Sequence, residues 1–163
     1  MKKTLSLSTL CLFCILLLTT CKKSTQQQPA TSTGMSFKVD GVAAKMDNTT
    51  AIGAAASSAS PPSLFLQLNI IGSTTSNGSG YPSVLLTIRN PIAGINSQAT
   101  MAYSTGPDIQ SFYQATSGQV VITSITNTNV SGTFQFNGSN TLGTPITTKV
   151  ITEGVFNCPI TQQ

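Results

Sequence analysis

Asp40-Gly41 stands between two short runs of alternating apolar residues, and no other feature constrains the fold as much. A two-residue Asp-Gly loop forms a type I′ turn, because both central residues take positive φ, which Asp tolerates and Gly favours. That loop sets the register of the flanking strands. Val39 faces Val42, Phe37 faces Ala44 and Met35 faces Met46. All six fall on one face, with Ser36, Lys38, Ala43 and Lys45 on the other. Turn chemistry and hydrophobic pattern agree, which specifies a half-buried ribbon that needs a further sheet to cover it.

The rest of the chain continues in the same period. Residues 49–56 form a short, Ala-rich strand, and the Ser/Pro-rich residues 57–62 break it. In residues 63–71, Leu64, Leu66, Leu68 and Ile70 alternate with Phe65, Gln67, Asn69 and Ile71. A Gly/Ser/Thr/Asn loop over 72–82 leads to a partner strand that buries Val84, Leu86 and Ile88 and stops at Asn90-Pro91. Residues 94–96 read as a turn, 100–104 as a short strand, and Gly106-Pro107 as a break. Residues 109–115 form a strand that turns at Ser117-Gly118 into a second strand over 119–126. After a turn at 127–129, Val130, Phe134 and Phe136 alternate, and residues 137–143 form a loop. In the last strand, 146–160, Val150, Phe156 and Cys158 share one parity while Ile151 and Val155 share the other, so a bulge at Gly154 is expected to switch the face. Lys149 is expected to partner Glu153. No segment carries a helical stripe. Short strands at even spacing specify an all-β fold, a single antiparallel β-sandwich of about 8–10 strands, with a closed lipocalin-like β-barrel as the alternative.

The N-terminus has a separate logic. Lys2-Lys3 precede an apolar run that is densest over residues 10–18, which is the pattern of a secretory signal peptide. The run is too short to span a bilayer, which takes ~20 apolar residues. Leu18-Thr19-Thr20-Cys21 resembles the bacterial lipobox, in which a Leu and two small residues guide lipidation of the Cys that follows. Thr20 stands where Gly, Ala or Ser is usual. The resemblance implies that Cys21 becomes the first mature residue, with a thioether-linked diacylglycerol and an acylated amine. Two or three chains hold a protein on a membrane where one gives only marginal binding. The chain therefore divides into a signal peptide (1–20), a lipidated N-terminus with a Gln-rich flexible tether (21–33), and a β domain (34–163).

Charge and cysteine usage narrow the function. The 163 residues carry a formal +4, but Lys2, Lys3, Lys22 and Lys23 belong to the leader and tether. From residue 34 onward Lys38, Lys45, Arg89 and Lys149 balance Asp40, Asp47, Asp108 and Glu153. No basic stripe exists for phosphate contacts, so nucleic acid is not an expected partner. Lys22-Lys23 suit anionic headgroups beside the anchor. Cys11 and Cys14 leave with the signal, Cys21 is modified, and Cys158 remains alone, so the mature chain has no internal disulfide.

Three stretches together resemble a known family: Phe37-Lys-Val-Asp-Gly-Val42, then Gly118-Gln-Val-Val-Ile-Thr-Ser124 followed by Val130-Ser-Gly-Thr-Phe-Gln-Phe136, and the closing Val150-Ile-Thr-Glu-Gly-Val-Phe156. The chain is similar to the DUF6252-like small lipoproteins of Bacteroidota, over most of residues 35–158. The resemblance implies an all-β lipoprotein of the outer membrane. Its motifs are structural and assign no chemistry. Lys-Lys after Cys21, in place of the acidic residues that mark surface export in such bacteria, favours the periplasm-facing leaflet.

Catalysis is poorly supplied. The sequence holds no His, the commonest general base, and its four acids are scattered. No catalytic, cofactor or metal residue is assigned; Asp40, Asp47 and Asn48 are the one local oxygen cluster, too small for calcium. Binding is the better class. Tyr81, Tyr103 and Tyr113 are the candidate platform for a glycan or peptide, with Phe112 beside them; in the competing reading Phe112 is core and the tyrosines are strand-edge residues with wet hydroxyls. The expected function is a lipid-anchored, non-catalytic binding or structural module of the bacterial envelope. The alternatives are a small-ligand carrier of lipocalin type and, third, a hydrolase.

Overall fold

A computed structural model describes residues 33–55, 65–75 and 80–163. The expected signal peptide, Cys21, the expected tether up to residue 32, the break at 57–62 and the middle of the 72–82 loop lie outside the described residues.

Among the described residues ten strands form one sheet: β1 (Gly34–Val39), β2 (Val42–Met46), β3 (Asn48–Ala55), β4 (Phe65–Ser73), β5 (Ser83–Arg89), β6 (Gly94–Asn96), β7 (Ala99–Ser104), β8 (Phe112–Ile125), β9 (Asn129–Asn140) and β10 (Thr147–Gln162). The Asp40-Gly41 hairpin has the expected register, with φ of 50° and 84° at its two turn residues. All neighbours pair antiparallel except β10 and β3, which run parallel through Ile160, Thr161 and Gln162. Following the pairs from β10 through β3, β4, β5, β7, β8 and β9 leads back to β10, so the ladder closes on itself. The β1–β2 hairpin is added on β10 beside β3.

One core fills the space between opposite walls. Phe37 of β1 meets Tyr103 of β7 edge to face at 6.1 Å, although the two strands are not neighbours. Phe134 of β9 joins Phe37, Phe136 and Phe156, with ring centroids 5.9–6.4 Å apart. Leu68, Ile70, Val84, Leu86, Ile88, Val120 and Ile122 belong to the same interior, as do Met35, Met46, Phe65 and Ile151. Each such side chain contributes about 1.5–3 kcal/mol when fully buried, and together they oppose the ordering entropy of a small chain.

Several boundaries differ from the sequence reading, and each has a local cause. Residues 117–118 do not turn. β8 runs straight through, because Gly118 takes φ of 148° at a register shift between Ala115 and Ser117. The strand reading over 109–115 begins instead with a 3₁₀ turn, Ile109–Ser111, and β8 starts at Phe112. The supposed turn at 94–96 is strand β6, paired with Val120, Val121 and Ile122. Its Asn96 is buried and satisfies its own approach: its side chain accepts from the Ile92 amide (3.1 Å) and donates to the Ile92 (3.0 Å) and Gly94 (2.9 Å) carbonyls. β9 continues into the expected 137–143 loop as far as Asn140. In β4 a shift against Ala54 and Ala55 leaves Leu66 unpaired, so Phe65 takes the core position and Leu66 is exposed.

The bulge expected in β10 lies between Ile151 and Gly154, where Glu153 has φ of 53°. It moves burial from the parity of Ile151 to that of Phe156 and Cys158. It also overturns the Lys149–Glu153 pairing. Lys149 reaches Asp40 at 2.7 Å and Glu153 reaches Lys38 at 2.8 Å.

Candidate ligand-binding groove

The three tyrosines do not form one platform. Tyr103 and Tyr113 lie opposite each other on β7 and β8 and point into the core, 6% and 8% exposed, with rings 6.3 Å apart. Burial raises the Tyr103 hydroxyl above its ordinary pKa. Tyr113 accepts a hydrogen bond from the Thr147 hydroxyl at 3.3 Å. Tyr81 alone reaches the surface, at 43%. Phe112, placed in the core by the competing sequence reading, is 42% exposed. The cause is the alternation of β8: Tyr113 points inward, so its neighbour Phe112 points out.

Tyr81 and Phe112 instead line a groove of about 450 Å³ on the outer face of β4, β5 and β7. Ile71 and Leu85 form its floor, the paired Ser83 and Ser104 line it at the strand ends, and Pro107, Asp108 and Ile109 come from the loop beyond them. The floor follows from strand parity. Val84, Leu86 and Ile88 face inward, so Leu85 must face outward, where it sits opposite Ile71 and Ala102. A smaller hollow of about 150 Å³, lined by Leu85, Thr100, Met101, Ala102, Phe112 and Gln114, continues along the strands beyond Phe112.

The walls are held by hydrogen bonds. The 105–111 excursion closes through the Thr105 amide to the Ser111 carbonyl (3.0 Å) and the Ser111 amide to the Asp108 carbonyl (2.8 Å). Ser104 donates to the Gly106 carbonyl at 2.7 Å. Buried Asn140 donates to the Gln110 carbonyl and accepts from the Leu142 (3.0 Å) and Gly143 (2.8 Å) amides, which ties two loops together behind the groove. On the near side the Thr74 hydroxyl donates to the Tyr81 carbonyl at 2.9 Å.

Asp40, Asp47 and Cys158 are each paired or buried. Asp40, taken earlier as the centre of an oxygen cluster, accepts from Lys149 Nζ (2.7 Å) and the Val150 amide (2.9 Å), which hold its carboxyl below the usual range. Asp47 pairs with Lys45 at 2.6 Å. Cys158 is buried, and loss of hydration pushes its thiol up to about 12, which suppresses the thiolate at neutral pH. Among the described residues no three metal-binding side chains converge.

Sequence reasoning named Tyr81 and Phe112 but missed Leu85, Ile71 and Ile109. The available signal was the leftover apolar residue of a strand already assigned its inward face: in β5, Leu85 had no core position to fill.

These features define a small all-β domain with one closed ladder of strands and a preformed apolar groove on its outer wall. Residues 30–158 match the domain of unknown function DUF6252, and the chain belongs to that family. No curated protein and no solved structure matches the chain.

Proposed function

We propose that this protein is a lipid-anchored lipoprotein of the bacterial envelope, held through Cys21, whose β domain acts as a non-catalytic binding module. The observation that carries the binding reading is the groove between Tyr81 and Phe112. Its volume falls within the range of small-ligand sites, and apolar lining with a few convergent polar groups is the usual makeup of such sites. Its place supports the same reading. It lies on the outer wall, where a short stretch of an envelope polymer, peptide or glycan, reaches it without entering the core. The interior positions that a carrier of lipocalin type would leave open are occupied here by Phe37, Tyr103, Phe134, Phe136 and Phe156. The hydrolase reading calls for Asp108 or Glu153 beside Lys149 or Arg89; Glu153 pairs instead with Lys38, Lys149 with Asp40, and Asp108 in the groove lies at the opposite end of β5 from Arg89. The anchor rests on the lipobox-like stretch and on the character of the residues after it.

Peptide and glycan arrays probed with the protein and with Leu85→Arg test this reading. The substitution places a long charged side chain across the groove floor without disturbing the inward face of β5. Leu66→Arg, on an exposed residue of β4, is the control. Array signals that Leu85→Arg removes and Leu66→Arg retains support the groove as the site. Signals indifferent to Leu85→Arg would place binding elsewhere.

A further inference from the structure

The charges of the β domain are largely neutralised in pairs. Among the described residues Lys38 pairs with Glu153, Lys45 with Asp47 and Lys149 with Asp40. Asp108 and Arg89 are left over, and they are far apart. Asp108 lies in the loop beside the Ser83 end of β5, while Arg89 closes the other end of that strand, roughly 20 Å away at strand rise. Asp108 is exposed, caps no helix with its side chain, and has no ion pair among the described residues. Among the described residues that line the groove it is the one with a charge.

We infer that the groove recognises a cation on an apolar body, the Lys or Arg side chain of an extended peptide; this rests on the binding reading above. The charge argument comes first. A lone carboxylate beside an apolar floor attracts a cation and repels an anion, with the modest strength of an exposed pair. The aromatic argument is independent of it. Tyr81 and Phe112 are partly exposed aromatic rings lining the groove, and a cation over an aromatic face is favoured. The apolar stem of Lys or Arg lies along Leu85 and Ile71 while its head stays wet, as these side chains do elsewhere. Shape then selects a chain over a single side chain. The groove of about 450 Å³ exceeds one lysine, and the hollow beyond Phe112 prolongs it along the strands. A neutral glycan fits less well. Sugar hydroxyls call for several free polar side chains, and of those in the groove Ser104 already donates to Gly106.

The test titrates the full-length processed protein, in a non-ionic polyoxyethylene detergent, with three blocked pentapeptides of alternating Leu and Lys, Leu and Gln, or Leu and Glu. Maltohexaose is the glycan arm. Amide chemical shifts report both affinity and place. The Lys peptide is expected to shift residues 81–85 and 104–112 and to bind about three- to fivefold tighter than the Gln peptide, the size of an exposed ion pair. The Glu peptide is expected to bind least. Asp108→Asn is expected to bring the Lys and Gln peptides level, and raising the salt to 1 M to do the same. Equal binding of Lys and Gln peptides by the wild type, or preference for maltohexaose at the same residues, would overturn the cation inference and leave the groove reading standing. Shifts centred on Arg89, or none at millimolar peptide, would overturn both.

Discussion

Gly132→Ala should destabilise the protein by about 3 kcal/mol. Gly132 lies in β9 opposite Ile122 of β8 on one side and Phe156 of β10 on the other. A Cβ there would stand 2.2 Å from the Val121 carbonyl oxygen, 2.6 Å from Phe156 Cζ and 3.1 Å from the Ile122 Cα. Two of those atoms are backbone and cannot rotate away. To restore contact distance the Val121 carbonyl must retreat by about 1 Å, beyond the range of a good N–H···O bond. One or two ladder bonds are then lost at about 1 kcal/mol each, and forcing volume into a packed core adds about 1–3 kcal/mol. Against a typical stability of about 5–15 kcal/mol this is a large fraction. Urea denaturation followed by tyrosine fluorescence reads it as a fall in midpoint of about 1.5–3 M for a slope near 1–2 kcal/mol/M. Gly41→Ala is the comparison. Nothing lies within 4 Å of its Cβ, so it pays only for a left-handed backbone, φ 84°, at about 1 kcal/mol. A Gly132→Ala midpoint within 0.3 M of wild type, as an order-of-magnitude threshold, would show that β8, β9 and Phe156 do not converge at this position.

Three other outcomes follow from the same geometry. Asp40→Asn keeps a residue that tolerates positive φ but removes the charge facing Lys149. Because the folded carboxyl pKa is lowered, its stabilisation is present above the unfolded value near 3.8 and fades as pH falls through the folded one; the gap between variant and wild type should therefore be about 0.2–1 kcal/mol at pH 7 and close in strong acid, and a pH-independent gap would refute the pairing. In the processed protein a maleimide at pH 8 should leave Cys158 unlabelled until urea unfolds the domain, and rapid labelling of the native state would contradict its burial. Cys21→Ser should abolish incorporation of a fatty-acid probe and release the protein from membranes or stall its processing; equal labelling of variant and wild type would remove the anchor.

Much of the fold was legible because strand periodicity and turn chemistry are local. The Asp40-Gly41 register and the inward row of Val84, Leu86 and Ile88 needed only a few neighbouring residues to read. Features that depend on a partner strand were not. Gly118 reads as a turn, yet here it lets β8 pass close to Gln135 and Phe136, and nothing within residues 112–125 announces that. Lys149 and Glu153 look like partners until the bulge between them separates the two, Lys149 toward Asp40 and Glu153 toward Lys38. The groove fell between the two cases. Tyr81 and Phe112 are visible as aromatic residues, but the choice between Phe112 and Tyr113 for the outer face depends on where β8 begins. That start is set by the 105–111 excursion and its hydrogen bonds. The closing of the ladder rests on three residues of β10 beside β3, a non-local contact with no sequence mark of its own.

The claim that the outer wall carries the ligand site is tested most directly by a crystallographic fragment screen of the protein. The groove has a fixed wall on either side and an apolar floor, so fragments should recur there, flat against Tyr81 or Phe112 and above Leu85. Repeated density at that position is the predicted result. A groove left empty while fragments gather in the hollow around Arg89 and Ile95, or within the core, would contradict the account.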